Sequence, residues 1–544
     1  MLNISNINRV MQPDTLPIQP EPSETPPPIV PAPQPKPKSR WPKLYIAILL
    51  LIIIAAGVGL LLHKSHKTTT VTATKKDIPL IKYGVTAAEV PQYPINAQGS
   101  SVDAQISAQL FEPLVQYQDQ TKIVPWLATS WSNPDTLTWI FNLRHGVKFH
   151  SGRIMTATDV KFTLDYAVAH QNDFNDSSIF ATASTIKQID VLGPYQVKVT
   201  TTIPDAVLLN KLSFFGIVDS KATLGDYDAG SGPYVVKPGT TPNAKAIKLV
   251  ASNSYWAGHV YTREVDEKVY DSVDQIAADE AVGKLDLGGN FNADQLSKIK
   301  NYRPVDIPDQ GVSYLGLATE RTGSPLSALS GRQAVAYGLN TSTVLKAAGL
   351  NGQLANQLVP VQLPGHNPSI PDTPYNIDKA KQLLATSPNP TMQLTLAYDS
   401  SADLQVNEIV KELTAAGFNI KPIRVDDFGA LINDTTAGKY DLFYLSDASS
   451  TVDGLDILTT LLLNNNDYDN PQIDSLTSKA VSTFDPAARI KLLQQVATIV
   501  NNEKPIIPLY TLTRTYALKE PNYHVKVDLP SLGAGNYFWK TYQD

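Results

Sequence analysis

The chain has 544 residues, 42% of them hydrophobic, which leaves room for about three domains and a sizeable core. Its 45 basic and 51 acidic residues leave a net charge of -6, and no basic stripe with interleaved aromatics occurs, so a nucleic-acid partner is excluded as the leading reading. With no cysteine it can have no disulfide, thiolate metal site, Cys nucleophile or lipidated Cys anchor.

Residues 13–42 are so rich in proline that neither helix nor sheet is available, since proline lacks the N–H and restricts φ. Residues 1–43 therefore read as a disordered tail. Residues 44–62 are uncharged and apolar, about one bilayer core in length at roughly 1.5 Å per residue, and predict one uncleaved transmembrane helix. Lys36, Lys38, Arg40 and Lys43 precede it, which favours a cytoplasmic amino terminus. Residues 63–78 then form a tether that places the rest outside the membrane.

Beyond the tether, strand patterns at residues 81–85, 197–202, 265–269 and 314–317 alternate with helical patterns, as in mixed α/β lobes. Within residues 124–166, the segment 139–143 alternates large apolar and polar side chains as a half-buried strand. Asn133-Pro134-Asp135 before it supplies turn chemistry. Thr158 is positioned to cap the following helix, Asp159 suits its positive end, and Val160, Leu164 and Ala167 share one face. His145 and His150 sit five residues apart without a carboxylate framework and read as structural. Gly230-Ser231-Gly232 lacks the lysine of a phosphate loop and reads as a turn. No hydrolase elbow or zinc-protease motif occurs, so an enzyme is not expected.

Residues 391–447 have the regular order of a βαβαβ unit: strand 394–397, helix 402–416, strand 420–425, helix 428–436 and strand 441–445. Helices at 376–384 and 485–500 flank it, the latter capped by Asp485 with Pro486 in the first turn. Ligands bind beyond the carboxyl ends of such strands, which points to residues 398–401, 426–428 and the loop 446–453.

The segment 124–166, together with Gly230-Ser231-Gly232-Pro233-Tyr234, Asn253-Ser254-Tyr255-Trp256, Gly283-Lys284-Leu285-Asp286, residues 330–335, 375–384 and 505–510, resembles in consistent order the family 5 solute-binding proteins. These are the receptors that collect oligopeptides, dipeptides or nickel complexes for ATP-driven ABC importers. Ser151 stands where the family commonly has Asp, a change expected to alter a turn and little else.

The resemblance implies an α/β, two-lobed, periplasmic-binding-protein-like fold that closes on its cargo. Lobe I would comprise 79–305 and 510–544 with an insertion at about 115–210, and lobe II 306–509. It also implies a binding function, with peptide and ABC permease subunits as partners, a monomeric receptor and no cofactor. Asp447 matches the residue that receives a peptide's terminal ammonium in peptide-binding relatives. Tyr444, Leu445 and Ser446 stand where relatives often have a Trp, and Phe428 where some place an aromatic wall.

Tyr314, on the strand entering the second lobe, and Ser100 and Ser101, before a helix at residue 102, complete the candidate ligand-binding set. Ser101 is also a cap candidate. A peptide-signal sensor using the proline-rich tail, and a receptor for a nickel chelate or other small solute, are the alternatives. His366 and His524 show no metal-ligand spacing.

Overall fold

In this computed structural model the chain is described at residues 75–86, 103–118, 122–170, 183–223, 227–239, 245–449, 451–464, 468–519, 523–524, 538 and 542–543. The expected tail, membrane helix and most of the tether therefore lie outside the described residues, as do Ser100 and Ser101. Among the described residues no helix is long and apolar enough to cross a membrane.

The main strands, in chain order, are β1 (Ile81–Val85), β2 (Ala128–Asp135), β3 (Thr138–Leu143), β4 (Ile186–Gly193), β5 (Gln196–Thr201), β6 (Tyr234–Val236), β7 (Ala246–Ala251) and β8 (Glu264–Val269). They continue as β9 (Leu287–Gly288), β10 (Tyr302–Pro308), β11 (Gly311–Leu317), β12 (Gly352–Leu354), β13 (Gln393–Tyr398), β14 (Asn419–Arg424), β15 (Leu442–Ala448) and β16 (Ile506–Lys519). Twelve of them form one sheet, in the order β6-β7-β8-β1-β9-β16-β11-β15-β13-β14, with β10 and β12 also paired to β16.

The long strand β16 joins the two halves of this sheet. Residues 506–510 pair with β11, and residues 513–519 pair with β10. The chain therefore passes between the halves twice, through Asp309-Gln310 and through the middle of β16. Separate cores pack on the two sides, one around Ile81, Tyr234, Leu249 and Leu518 and another around Leu315, Leu396, Ile409 and Leu442.

The second half contains the βαβαβ unit: β13 runs parallel to both β14 and β15, with helices α1 (Asp403–Ala415) and α2 (Phe428–Thr436) as crossovers. Apolar positions drive this packing, as Val406, Ile409 and Leu413 share the buried face of α1. The structure lengthens the last strand beyond the predicted 441–445. Its pairing with β11 continues to Ala448, so Ser446 and Asp447 belong to the strand and the loop begins at Ser449.

The segment that carried the resemblance folds as a separate four-stranded sheet, β2-β3-β5-β4, under helix Ala157–Ala169. Trp139, Phe141 and Leu143 face its core, as alternation requires. Asn133-Pro134-Asp135 does not make the turn, because the strand runs through to Asp135 and the two-residue turn is Thr136-Leu137. Strand β2 is an edge strand, where a proline's missing donor costs no ladder bond.

The helix cap is Thr156 and not Thr158. Thr156 and Asp159 make a capping box, which places Asp159 in the third helical position. Asp159 also holds Arg153, which bridges to Asp219, and Ser151 donates to Asp219 at 2.7 Å. Ser151 thus ties its loop to a charge network, beyond the local turn expected.

His150 contacts the Gly232 carbonyl at 2.9 Å and His145 stacks on Tyr195, both structural roles. The Gly230–Gly232 turn presses against the end of helix Asp103–Leu110. A Cβ on Gly232 would lie 2.2 Å from the Gln109 carbonyl oxygen. Ser231 in the same turn donates to Glu112, a buried carboxylate that also accepts from Trp126, Tyr255 and Trp256.

Candidate functional site

Strands β11 and β15 run antiparallel, with Val312 opposite Asp447, Ser313 opposite Ser446, Tyr314 opposite Leu445 and Leu315 opposite Tyr444. Side chains on a strand alternate between faces, so the predicted quartet divides. Tyr444 and Ser446 point to one side: Ser446 Oγ meets Ser313 Oγ at 2.7 Å, and the Tyr444 and Tyr510 hydroxyls meet at 2.6 Å. Leu445 and Asp447 point to the other, with Val312 and Tyr314.

On that second face Tyr314 is fully buried, edge-on to Phe443, and packs with Val312, Leu445, Val452 and Tyr117. Tyr314 is therefore a core residue at the base of the site. Phe428 is 56% exposed at the start of α2, where Asp427 caps the helix by accepting from the Ala430 N–H. Phe428 is thus no core residue of its helix, and among the described residues no contact joins it to Asp447.

Asp447 itself is half-buried, and its carboxylate accepts a 2.8 Å bond from the Ala448 N–H. Among the described residues no lysine or arginine pairs with it. Burial, reinforced by the charge of Asp456, pushes its pKa up to about 7. An acidic group desolvated without a cation is suited to accept one from outside.

The loop after β15 is held firmly. Ser449 Oγ accepts from the Asp453 N–H at 3.0 Å, while Asp456 accepts from Ser449 Oγ and the Thr451 N–H, both at 3.2 Å. Arg489 clamps Asp453 with two hydrogen bonds, at 2.7 and 2.5 Å, in a buried pair. The Thr451 carbonyl then accepts from Tyr117 Oη at 2.8 Å and Asn210 Nδ2 at 3.2 Å, residues from far earlier in the chain. Further along the same seam, the Ala206 N–H donates to the Val481 carbonyl and Trp139 packs on Phe484.

Sequence reasoning did not find Tyr117, Asn210, Thr451 or Gln310. Gln310 lies between β10 and β11 and is 1% exposed; it resembles an ordinary turn residue after Pro308-Asp309, and only the register of β11 reveals its burial. Among the described residues no group of three or more His, Asp or Glu side chains gathers as a metal site.

The family model for bacterial extracellular solute-binding proteins, family 5 Middle, matches residues 122–469. The chain is 26% identical over 465 residues to heme-binding protein A of Haemophilus influenzae, covering 76% of this chain and 83% of the relative. It is 25% identical over 464 residues to di/tripeptide-binding protein 1 of Pseudomonas aeruginosa, covering 76% and 84%. The crystal structure of NikA from Brucella suis in complex with Fe(III)-EDTA superposes with a TM-score of 0.73 at 19% identity, covering 86% of this chain and all of that one. The fold is the two-lobed α/β arrangement of periplasmic binding proteins, and the chain belongs to family 5 of the bacterial extracellular solute-binding proteins, the receptors of ABC importers.

Proposed function

We propose that this protein captures peptides between its two lobes and delivers them to an ABC importer permease, with Asp447 receiving the α-ammonium group. The observation that carries the reading is the state of Asp447: a half-buried carboxylate with no cationic partner among the described residues, at the carboxyl end of a central strand. A charge-assisted hydrogen bond from an ammonium to such a group contributes about 1.5–3 kcal/mol net. The di/tripeptide-binding relative supports the cargo class. The family match and the di/tripeptide-binding relative support reading it as a binding protein and not an enzyme.

In this reading lobe I comprises residues 79–305 and 510–544, with an insertion at about 115–210, and lobe II comprises 306–509. Tyr117 and Asn210 bring the insertion against the loop after β15. Residues 44–62 anchor the receptor, with the amino terminus cytoplasmic and the lobes extracellular, and a monomer suffices for capture. Of the candidate ligand residues, Leu445 and Tyr314 shape the face that bears Asp447, whereas Tyr444 and Ser446 occupy the opposite face. Ser100, Ser101 and Phe428 remain proposals from position.

The test is calorimetric binding of trialanine and N-acetyl-trialanine to the full-length chain and to Asp447→Asn. The free amine should bind the native protein at least tenfold more tightly than the acetylated peptide, and the substitution should remove that preference. Equal affinity for both peptides would falsify the ammonium role. A second reading, a haem or metal-chelate receptor, draws on the heme-binding relative, and saturable binding of haemin with no binding of any peptide would establish it.

A further inference from the structure

We infer that Gln310 is a second specificity-determining residue, whose side-chain amide takes a peptide group of the cargo one or two residues from the ammonium held by Asp447. The inference rests on the peptide reading above and deepens it. Gln310 is 1% exposed, yet neither its Nε2 nor its Oε1 finds a hydrogen-bond partner among the described residues. A buried amide carries both donors and an acceptor, and native proteins pair nearly all such groups.

The backbone around Gln310 is thoroughly tied down, which leaves the side chain as the one unsatisfied part. Its N–H donates to Asp309 Oδ1 at 2.8 Å, and its carbonyl accepts from the Ser449 N–H at 3.3 Å. Asp309 is bound in turn by Arg514, and its carbonyl accepts from Gln362 Nε2. Gly311, next in sequence, lies so close to β15 that a Cβ there would sit 2.6 Å from the Asp447 carbonyl oxygen. The spacing between Gln310 and the end of β15 is thereby set by backbone contact.

The register then relates the two side chains. Gly311 pairs with Ala448 and Val312 with Asp447, and the Gln310 carbonyl accepts from the Ser449 N–H, which sets the Gln310 backbone beside Ser449, two residues past Asp447. Gln310 and Asp447 are diagonal neighbours, about 7–8 Å apart. An extended peptide advances about 3.3 Å per residue, so a chain whose ammonium sits on Asp447 presents its first or second peptide group to Gln310. One side-chain amide matches one peptide group, giving an N–H to its carbonyl and accepting from its N–H, without reading the cargo's side chains.

The experiment is an affinity cycle on the full-length chain. Trialanine and two analogues, with an ester in place of the first or the second peptide N–H, are titrated into native protein and into Gln310→Met, which keeps the length and removes the polar atoms. One ester should bind native protein about tenfold more weakly than trialanine. Gln310→Met should lose a similar factor for trialanine and show no further loss for that ester. The same substitution should raise the unfolding midpoint without cargo, because it removes an unsatisfied buried amide. The inference is overturned if both esters bind native protein as trialanine does, an arm that does not depend on any variant folding, or if Gln310→Met binds trialanine as tightly as native protein. Those results leave the peptide reading standing, whereas failure of native protein to bind any of the three ligands removes both together.

Discussion

The hydroxyl of Tyr117 donates to the carbonyl of Thr451 at 2.8 Å, joining positions 334 residues apart. Tyr117 is buried, and its ring leans on Phe214 while packing into the core that also holds Tyr314 and Leu445. The bond thus connects the early part of the chain to the loop that follows Asp447. Tyr117→Phe keeps the ring and removes the donor, while Asn210 still satisfies the Thr451 carbonyl. The expected loss is about 0.5–1.5 kcal/mol. Denaturant unfolding with and without saturating trialanine checks it: if the contact belongs to the closed form, the loss is larger with ligand present.

Asp447 gives the proposed binding a distinctive pH profile. Its pKa in the folded protein, about 7, lies above the ordinary 3.8. Without ligand, the group's contribution to stability is therefore fully present below pH 3.8 and is lost as the pH rises through 7. An ammonium ligand requires the ionised form, so affinity should rise about tenfold per pH unit up to 7. It should fall again above about 8, where an α-amino group loses its proton. Titration between pH 5 and 9 should give a bell with its maximum between these limits, and Asp447→Asn should flatten the acidic limb.

Much of the fold was legible in the sequence, and the reason is local. Period-two and helical patterns placed every element of the βαβαβ unit within a few residues, and Asp485 caps the later helix as expected. Errors arose where a remote partner decided the outcome. Strand β15 runs on through Asp447 because β11 offers it a ladder to Ala448, and Asn133-Pro134-Asp135 stays extended because it lies on a sheet edge. Thr156 displaces Thr158 as the cap because Asp159 completes its box while also holding Arg153. The candidate site was legible only in part, since Gln310 acquires its burial and Tyr117 its partner from segments distant in the chain.

The pair of Arg489 and Asp453 holds the loop beside Asp447 in shape. Both side chains are nearly inaccessible, and two hydrogen bonds join them. Removing one partner leaves the other charged and unpaired in the interior, which costs about 3–5 kcal/mol. Arg489→Met and Asp453→Asn should each lower stability on that scale. The double substitution should recover part of the loss, because no lone charge remains. A double-mutant cycle by urea unfolding measures the coupling, and simple additivity of the two losses would refute this account.

Two buried glutamates predict opposite responses to the same substitution. Glu112 accepts from Trp126, Ser231, Tyr255 and Trp256, so its carboxylate is matched by four donors even though burial pushes its pKa up to about 7. Glu112→Gln would turn an amide N–H₂ toward two of those donors, and should destabilise the protein by about 1–3 kcal/mol despite its near-identical shape. Glu280, on helix Val273–Ala281, is fully buried, and neither of its oxygens has a partner among the described residues. Burial, aided by the charge of Asp286, pushes its pKa up to about 9. A raised carboxyl pKa favours folding below 4.5 and loses that contribution as the pH climbs through 9, at no more than about 1.4 kcal/mol per unit. Glu280→Gln cannot ionise, so its stability relative to native protein should improve steadily between pH 5 and 9. Urea unfolding at pH 5, 7 and 9 separates the two cases: Glu112→Gln should be the weaker protein at pH 7, whereas the advantage of Glu280→Gln should widen with pH.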